Sequence, residues 1–215
     1  MTNATWTRIT DGRLVPVVVI DDAADAPALG QALIAGGLPS AEITFRTEAA
    51  SAAIAALAEL PDVTVGAGTV LTPQQVDVAV DAGAQYVVSP GLSRAVVERC
   101  QERGVLALPG AVTATEIQAA LELGLKAVKF FPAATSGGAA AIKALSAPFP
   151  ALSFVPTGGI SAHNLADYLA VPAVKAIGGS WMVPRKLIQQ QDTVEITRLV
   201  REAVQLTREI DAEAN

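Results

Sequence analysis

The chain has 215 residues, enough for one substantial core and few for two. It is 51% apolar, 17% charged and 4% aromatic, with a net charge of −6 and a pI near 4.8. That composition excludes a disordered chain and, with no basic stripe, a nucleic-acid binder; one cysteine and one histidine exclude an internal disulfide and make a zinc site a poor expectation.

The first dozen residues, including Trp6, fit either a lead-in helix or a strap. The first apolar run, Leu14–Ile20, contains Pro16 and runs straight into Asp21 and Asp22, unlike a secretion signal. No apolar stretch approaches the ~18–20 residues that span a bilayer. A cytoplasmic protein with no membrane partner is expected. A helix pattern follows over Ala26–Ala35, then a strand over Ala41–Arg46 and a helix over Glu48–Leu60. The alternation continues with strands Val63–Gly68 and Tyr86–Ser89 and helices Pro73–Ala82 and Ala95–Glu102. Further strands are predicted at Val105–Pro109, Ala127–Phe131, Ser153–Pro156 and Ala173–Gly178, with a last helix over Val194–Ile210. Strand starts lie roughly 20–27 residues apart, the length of a strand, a helix and two short loops. Several helices run into Gly36–Gly37, Gly83, Gly104 or Gly124, as C-termini prefer.

Eight strand–helix units give a closed barrel or an open doubly wound sheet. An open sheet would usually carry a Gly-rich dinucleotide loop after its first strand, whereas here Ile20 is followed by Asp-Asp-Ala. The expected fold is therefore α/β, a (β/α)8 (TIM) barrel. No linker or composition shift divides it, so 1–215 reads as one domain.

Barrel chemistry sits at the C-terminal ends of strands, so polar residues interrupting apolar strands are the informative ones. Alternation puts Glu42, Thr44 and Arg46 on the inner face and Ile43 and Phe45 against the helices. An interior acid and arginine are costly unless paired or used. Lys129 lies mid-strand between Val128 and Phe130. Burial beside a cation such as Arg46 would favour its uncharged amine, the form that attacks carbonyls. Lys126 and Lys175 start strands and read as solvated charges on the opposite face. Thr69 follows Gly66-Ala67-Gly68 at the mouth, placed to bind a carboxylate or carbonyl. Thr157-Gly158-Gly159 and Gly178-Gly179-Ser180 follow the last two strands. Bare N–H groups there, backed by a following helix N-terminus, suit a phosphate. His163 and Cys100 are assigned no chemistry.

With these residues in place, the chain resembles the 2-keto-3-deoxy-6-phosphogluconate aldolase family, which also includes 4-hydroxy-2-oxoglutarate aldolase activity. The resemblance runs from about Val15 to Pro184. Its motifs are Glu42–Thr47, Gly66–Leu71, Ser89–Leu92, Leu108–Gly110, Lys129–Ala133, Pro156–Ile160 and Gly178–Trp181. It implies a metal-free class I aldolase without cofactor, in which Lys129 forms an imine and Glu42 moves protons. Arg46 and Thr69 would hold the pyruvyl carboxylate, with Pro90 and Phe131 also lining the substrate site. Thr157, Gly158, Gly159, Gly179 and Ser180 would hold the distal phosphate. The resemblance further implies a homotrimer acting on a small phosphorylated 2-keto-3-deoxy sugar acid and releasing pyruvate. Alternatives are the galactonate epimer, 4-hydroxy-2-oxoglutarate, or a non-catalytic sugar-phosphate-binding barrel. One departure stands out: Ala134 occupies a position where the family commonly carries Glu.

Overall fold

The β-branched runs become eight parallel strands within residues 3–213, which the computed structural model describes. They are β1 (Leu14–Val18), β2 (Ser40–Thr44), β3 (Thr64–Gly68), β4 (Tyr86–Ser89), β5 (Leu106–Pro109), β6 (Ala127–Phe130), β7 (Ser153–Pro156) and β8 (Ile177–Gly179). Around them run α1 (Asn3–Asp11), α2 (Ala26–Gly36), α3 (Ala50–Ala58), α4 (Pro73–Asp81), α5 (Arg94–Glu102), α6 (Ala114–Glu122) and α7 (Gly138–Ser146). Two short helices, α8 (Leu165–Leu169) and α9 (Arg185–Gln189), precede the long α10 (Thr193–Glu213).

The hydrogen-bonded order β5-β4-β3-β2-β1-β8 curls until the β6–β7 pair closes it. A bridge from Gly110 to Lys129 seals one seam and one from Thr157 to Gly178 seals the other. This is the expected (β/α)8 barrel. Helices begin where short polar side chains satisfy free N–H groups. Thr72 caps α4, Ser93 caps α5, and Thr113 with Glu116 forms a reciprocal capping box on α6.

Two apolar layers follow from strand alternation. Leu14, Val18, Ile43, Val65, Val87, Val128 and Phe154 face the helices in the larger core. The smaller core fills the barrel with Val15, Tyr86, Val88, Leu106, Leu108, Ala127, Val155 and Ala176. Fully burying one such aliphatic side chain is worth about 1.5–3 kcal/mol. Ile9 joins the inner core, and Trp6 packs against it, so the N-terminal segment is a lead-in helix that stoppers the barrel below. The expected strand Ala173–Gly178 is shorter than its pattern suggested. A turn around Pro172, closed by Val174 N–H to Val171 C=O (2.9 Å), limits its first half to a single bridge from Val174 to Phe154. No described helix is long and apolar enough to cross a membrane.

Candidate active site

Lys129 stands on the inner face of β6, 6% exposed, with Val128 and Phe130 on either side turned into the outer core. Its backbone is fixed by the seam to β5, where Ala111 N–H donates to its carbonyl (2.9 Å). Its Nζ donates to Glu42 Oε1 at 3.0 Å, and Glu42 is itself 2% exposed. The ammonium also lies 5.3 Å from the centroid of the Phe131 ring, within cation–π range. Two desolvated charges in a dry barrel are tolerable only as a pair. Moving the shared proton from Nζ to Oε1 turns them into a neutral amine beside a neutral acid, with no charge separated. An amine and a carboxylate in direct contact can together supply a nucleophile and a proton acceptor.

Glu42 reaches Lys129 because β3 is bare beneath it. The carboxylate arm lies over Gly68, where an added Cβ would come within 2.7 Å of Glu42 Cγ and 2.8 Å of Cδ. Thr44, next inward on β2, is buried and donates to Val18 C=O at 2.8 Å, tying β2 to β1.

Arg46 departs from the expected interior position. The strand ends at Thr44, and a tight turn follows in which Arg46 N–H donates to Thr44 C=O (2.8 Å). Alternation therefore stops one residue before Phe45. The guanidinium is exposed at the C-terminal rim, with no ion-pair partner among the described residues. The charged group that Lys129 faces is a carboxylate, not the cation expected to favour its neutral form. Thr69 sits half-buried at the end of β3 with φ +59°, a left-handed conformation that a β-branched residue adopts only at a cost of about 1–3 kcal/mol. Pro90 and Phe131 are half-buried just past β4 and β6, on the same rim.

The two Gly-Gly pairs are not equivalent turns. Gly158 (φ +99°) and Gly159 (φ +73°) form a true left-handed turn. Gly178 and Gly179 lie within β8, where their bareness admits the Thr157 side chain and the Trp181 ring respectively. The expected helix N-termini do not meet these turns. The following helices have five residues each and begin at Leu165 and Arg185. Backbone contacts organise the loops instead. Ala133 N–H and Ala134 N–H donate to the carbonyls of Thr157 (2.8 Å) and Gly158 (3.0 Å), zipping the β6 loop to the β7 loop. Ala134 Cβ lies where a side chain on Gly159 would stand, so residues 134 and 159 share one tight space. Thr157 Oγ1 is buried with no hydrogen-bond partner among the described residues. Ser180 is exposed on the rim.

Sequence reasoning missed two supports. Asn164 accepts from Ser161 N–H (2.9 Å) and donates to Gly159 C=O (3.0 Å), bracing the β7 loop. Asp21, just past β1, accepts from Arg185 Nε and Gln189 Nε2, both at 2.7 Å, and clasps the first unit to the last. The signal for the latter was the Asp21-Asp22 pair at a strand's C-terminal end, read only as the end of an apolar run. Lys126, Lys175 and His163 are exposed. Cys100 is buried in the outer core, and burial pushes its thiol up to about 12, leaving it unreactive.

The chain is similar to known proteins over most of its length. A family model described as KDPG and KHG aldolase matches residues 6–199. The chain is 50% identical to the 2-dehydro-3-deoxy-phosphogluconate aldolase of Treponema pallidum over 195 residues, covering 90% of this chain and 93% of that protein. The 2-keto-3-deoxy-6-phosphogluconate aldolase of Zymomonas mobilis, solved with 3-phosphoglycerate, superposes with a TM-score of 0.89 at 38% identity, over 95% of this chain and 96% of that one. A Legionella pneumophila KDPG aldolase, solved with pyruvate captured as a covalent carbinolamine, gives 0.89 at 38% identity, over 93% and 97%.

Proposed function

Because the chain belongs to the KDPG and KHG aldolase family, we propose that it cleaves 2-keto-3-deoxy-6-phosphogluconate to pyruvate and glyceraldehyde 3-phosphate through an imine on Lys129. The observation that carries this reading is the 3.0 Å contact between two buried groups, Lys129 Nζ and Glu42 Oε1. The amine, having passed its proton to Glu42, adds to the C2 ketone to give a carbinolamine. Glu42 returns that proton to the departing hydroxyl, and loss of water leaves the iminium. Glu42, as carboxylate, takes the C4 hydroxyl proton. The C3–C4 electron pair then moves toward the iminium, forming an enamine as the aldehyde leaves. Protonation at C3 and addition of water release pyruvate and restore the amine. The iminium is the electron sink, so this route uses no metal or other cofactor.

Arg46, whose guanidinium is unpaired at the rim, binds the pyruvyl carboxylate with two parallel hydrogen bonds, assisted by Thr69. Pro90 and Phe131 wall the reacting carbons. Thr157, with its free buried hydroxyl, receives the distal phosphate together with Gly158, Gly159, Gly179 and Ser180. The chain works as one domain in the cytoplasm, as a homotrimer, with small molecules as its ligands. The deciding assay is pyruvate release from 2-keto-3-deoxy-6-phosphogluconate with chelator present, alongside 4-hydroxy-2-oxoglutarate. A higher kcat/KM on the phosphorylated substrate is expected. Release that stops with chelator, or no release at all, would rule the reading out.

Gly68→Ala offers a separate check. Its new methyl would enter the space of the Glu42 arm. A shift of about 1 Å at a catalytic group can cost about 10²-fold in rate. A loss of that order in kcat is expected, measured beside the melting temperature. An unchanged kcat would mean that Glu42 does not need its present position.

A further inference from the structure

The inner face of β4 carries a hydroxyl that this reaction leaves idle. Tyr86 is 0% exposed, and its hydroxyl has no hydrogen-bond partner among the described residues. A buried polar group left unpaired costs about 1–3 kcal/mol. Phenylalanine would fill the same volume without that cost, so the hydroxyl calls for a use.

Its direction is set by the glycines of β3. The far end of the ring, Cζ with Cε1 and Cε2, lies directly on Gly66, where any Cβ would collide with it. The hydroxyl on Cζ therefore projects past β3 toward β2. There the residue in register with Gly66 is Glu42. The Glu42 arm leans over Gly68, two residues along the same face of β3. Two residues of strand span about 6–7 Å of backbone; the phenol oxygen past Gly66 and the Glu42 arm over Gly68 both reach into that interval, which leaves a separation that one water bridges with hydrogen bonds of about 2.8 Å. A buried water takes two to four polar partners; the Tyr86 hydroxyl and the Glu42 carboxylate are two of them.

Val15 of β1, Leu106 of β5, Val155 of β7 and Ile9 of α1 share the inner core with the ring, buried Thr64 of β3 and Ser40 and Thr44 of β2 add hydroxyls, and among the described residues Lys129 of β6 is the other titratable group turned inward. Burial, and after it the negative charge of Glu42, push the phenol well above its ordinary range. It therefore stays protonated, a donor at every working pH.

We propose that Tyr86 is a positioning residue for Glu42, its hydroxyl donating through one bound water to the carboxylate. The inference rests on the aldolase reading above, because the contact matters most after imine formation. The Lys129 ammonium offers three N–H donors, whereas its iminium keeps one. Glu42 then loses its main partner at the moment it must stay charged, placed and ready to take a proton. The Tyr86 water holds it there.

Tyr86→Phe tests this with readouts that packing alone would not move. The variant is expected to keep or raise the melting temperature and to trap pyruvate on borohydride reduction as the wild type does. Its kcat should fall about tenfold with KM little changed, the scale typical of lost support behind a reacting group. A kcat equal to wild type would overturn the proposal. So would a kcat that falls only together with melting temperature and trapping. Wild-type protein that traps no pyruvate would instead overturn the aldolase reading beneath it.

Discussion

Lys129→Ala is expected to abolish borohydride trapping of pyruvate and to lower kcat by at least about 10⁴-fold, since removing a covalent nucleophile leaves only binding and positioning. Burial makes the result specific. Lys126 and Lys175 are exposed outside the barrel interior, so neither can take over the site. An adduct mapped to either of them in the wild type would refute the assignment. The substitution also has a stability consequence. It leaves Glu42, 2% exposed, without the ammonium 3.0 Å away. Breaking a buried pair from one side costs about 3–5 kcal/mol, because the remaining charge is unpaired in a low-dielectric interior. The melting temperature of Lys129→Ala should therefore fall. Adding Glu42→Gln should restore much of it, while activity stays absent in both. Recovery of stability without recovery of turnover separates the chemical role of the lysine from its structural one.

The barrel was legible because its signal is repeated. The strands are short apolar runs, several helices are Ala-rich or capped by a Ser or Thr, and the spacing recurs around the ring. What blurred was the ends of elements. Strand β2 stops at Thr44, so extending its alternation two residues further placed Arg46 inside, whereas the turn after Thr44 carries it to the rim. A one-dimensional pattern holds only as long as the ladder does. Strand β8 shrank for a similar reason, with Pro172 turning the chain before the ladder could begin. The pairing of Lys129 with Glu42 was half legible, because a lysine and a glutamate mid-strand in apolar surroundings are too costly to be incidental. Their contact was not, because it depends on the glycines of β3 leaving room and on two residues 87 positions apart being brought together as the chain closes into a ring. The two Gly-Gly pairs looked alike in sequence yet serve different ends. The first needs positive φ, whereas the second needs empty space beside Thr157 and Trp181. Composition cannot tell those two uses of glycine apart.

Glu42→Gln is expected to trap pyruvate but to lose about 10²–10⁴-fold in kcat, the usual worth of a positioned acid–base. The amide is nearly isosteric with the carboxylate, so it still fits over Gly68 and can accept from Lys129 Nζ through its carbonyl oxygen. What it lacks is basicity. It cannot take the C4 hydroxyl proton, and it cannot return one to the enamine. Without the carboxylate, Lys129 passes its proton to water instead, so the adduct with pyruvate forms more slowly but still accumulates. The two steps thus come apart in this variant: a covalent adduct forms at the lysine while the C3–C4 bond stays intact. Exchange of the pyruvate methyl protons with solvent should slow alongside cleavage, because both pass through a proton moved at C3. A near wild-type kcat, or fast methyl exchange with slow cleavage, would show that another group moves the proton, and would reduce Glu42 to the counter-ion of a buried lysine.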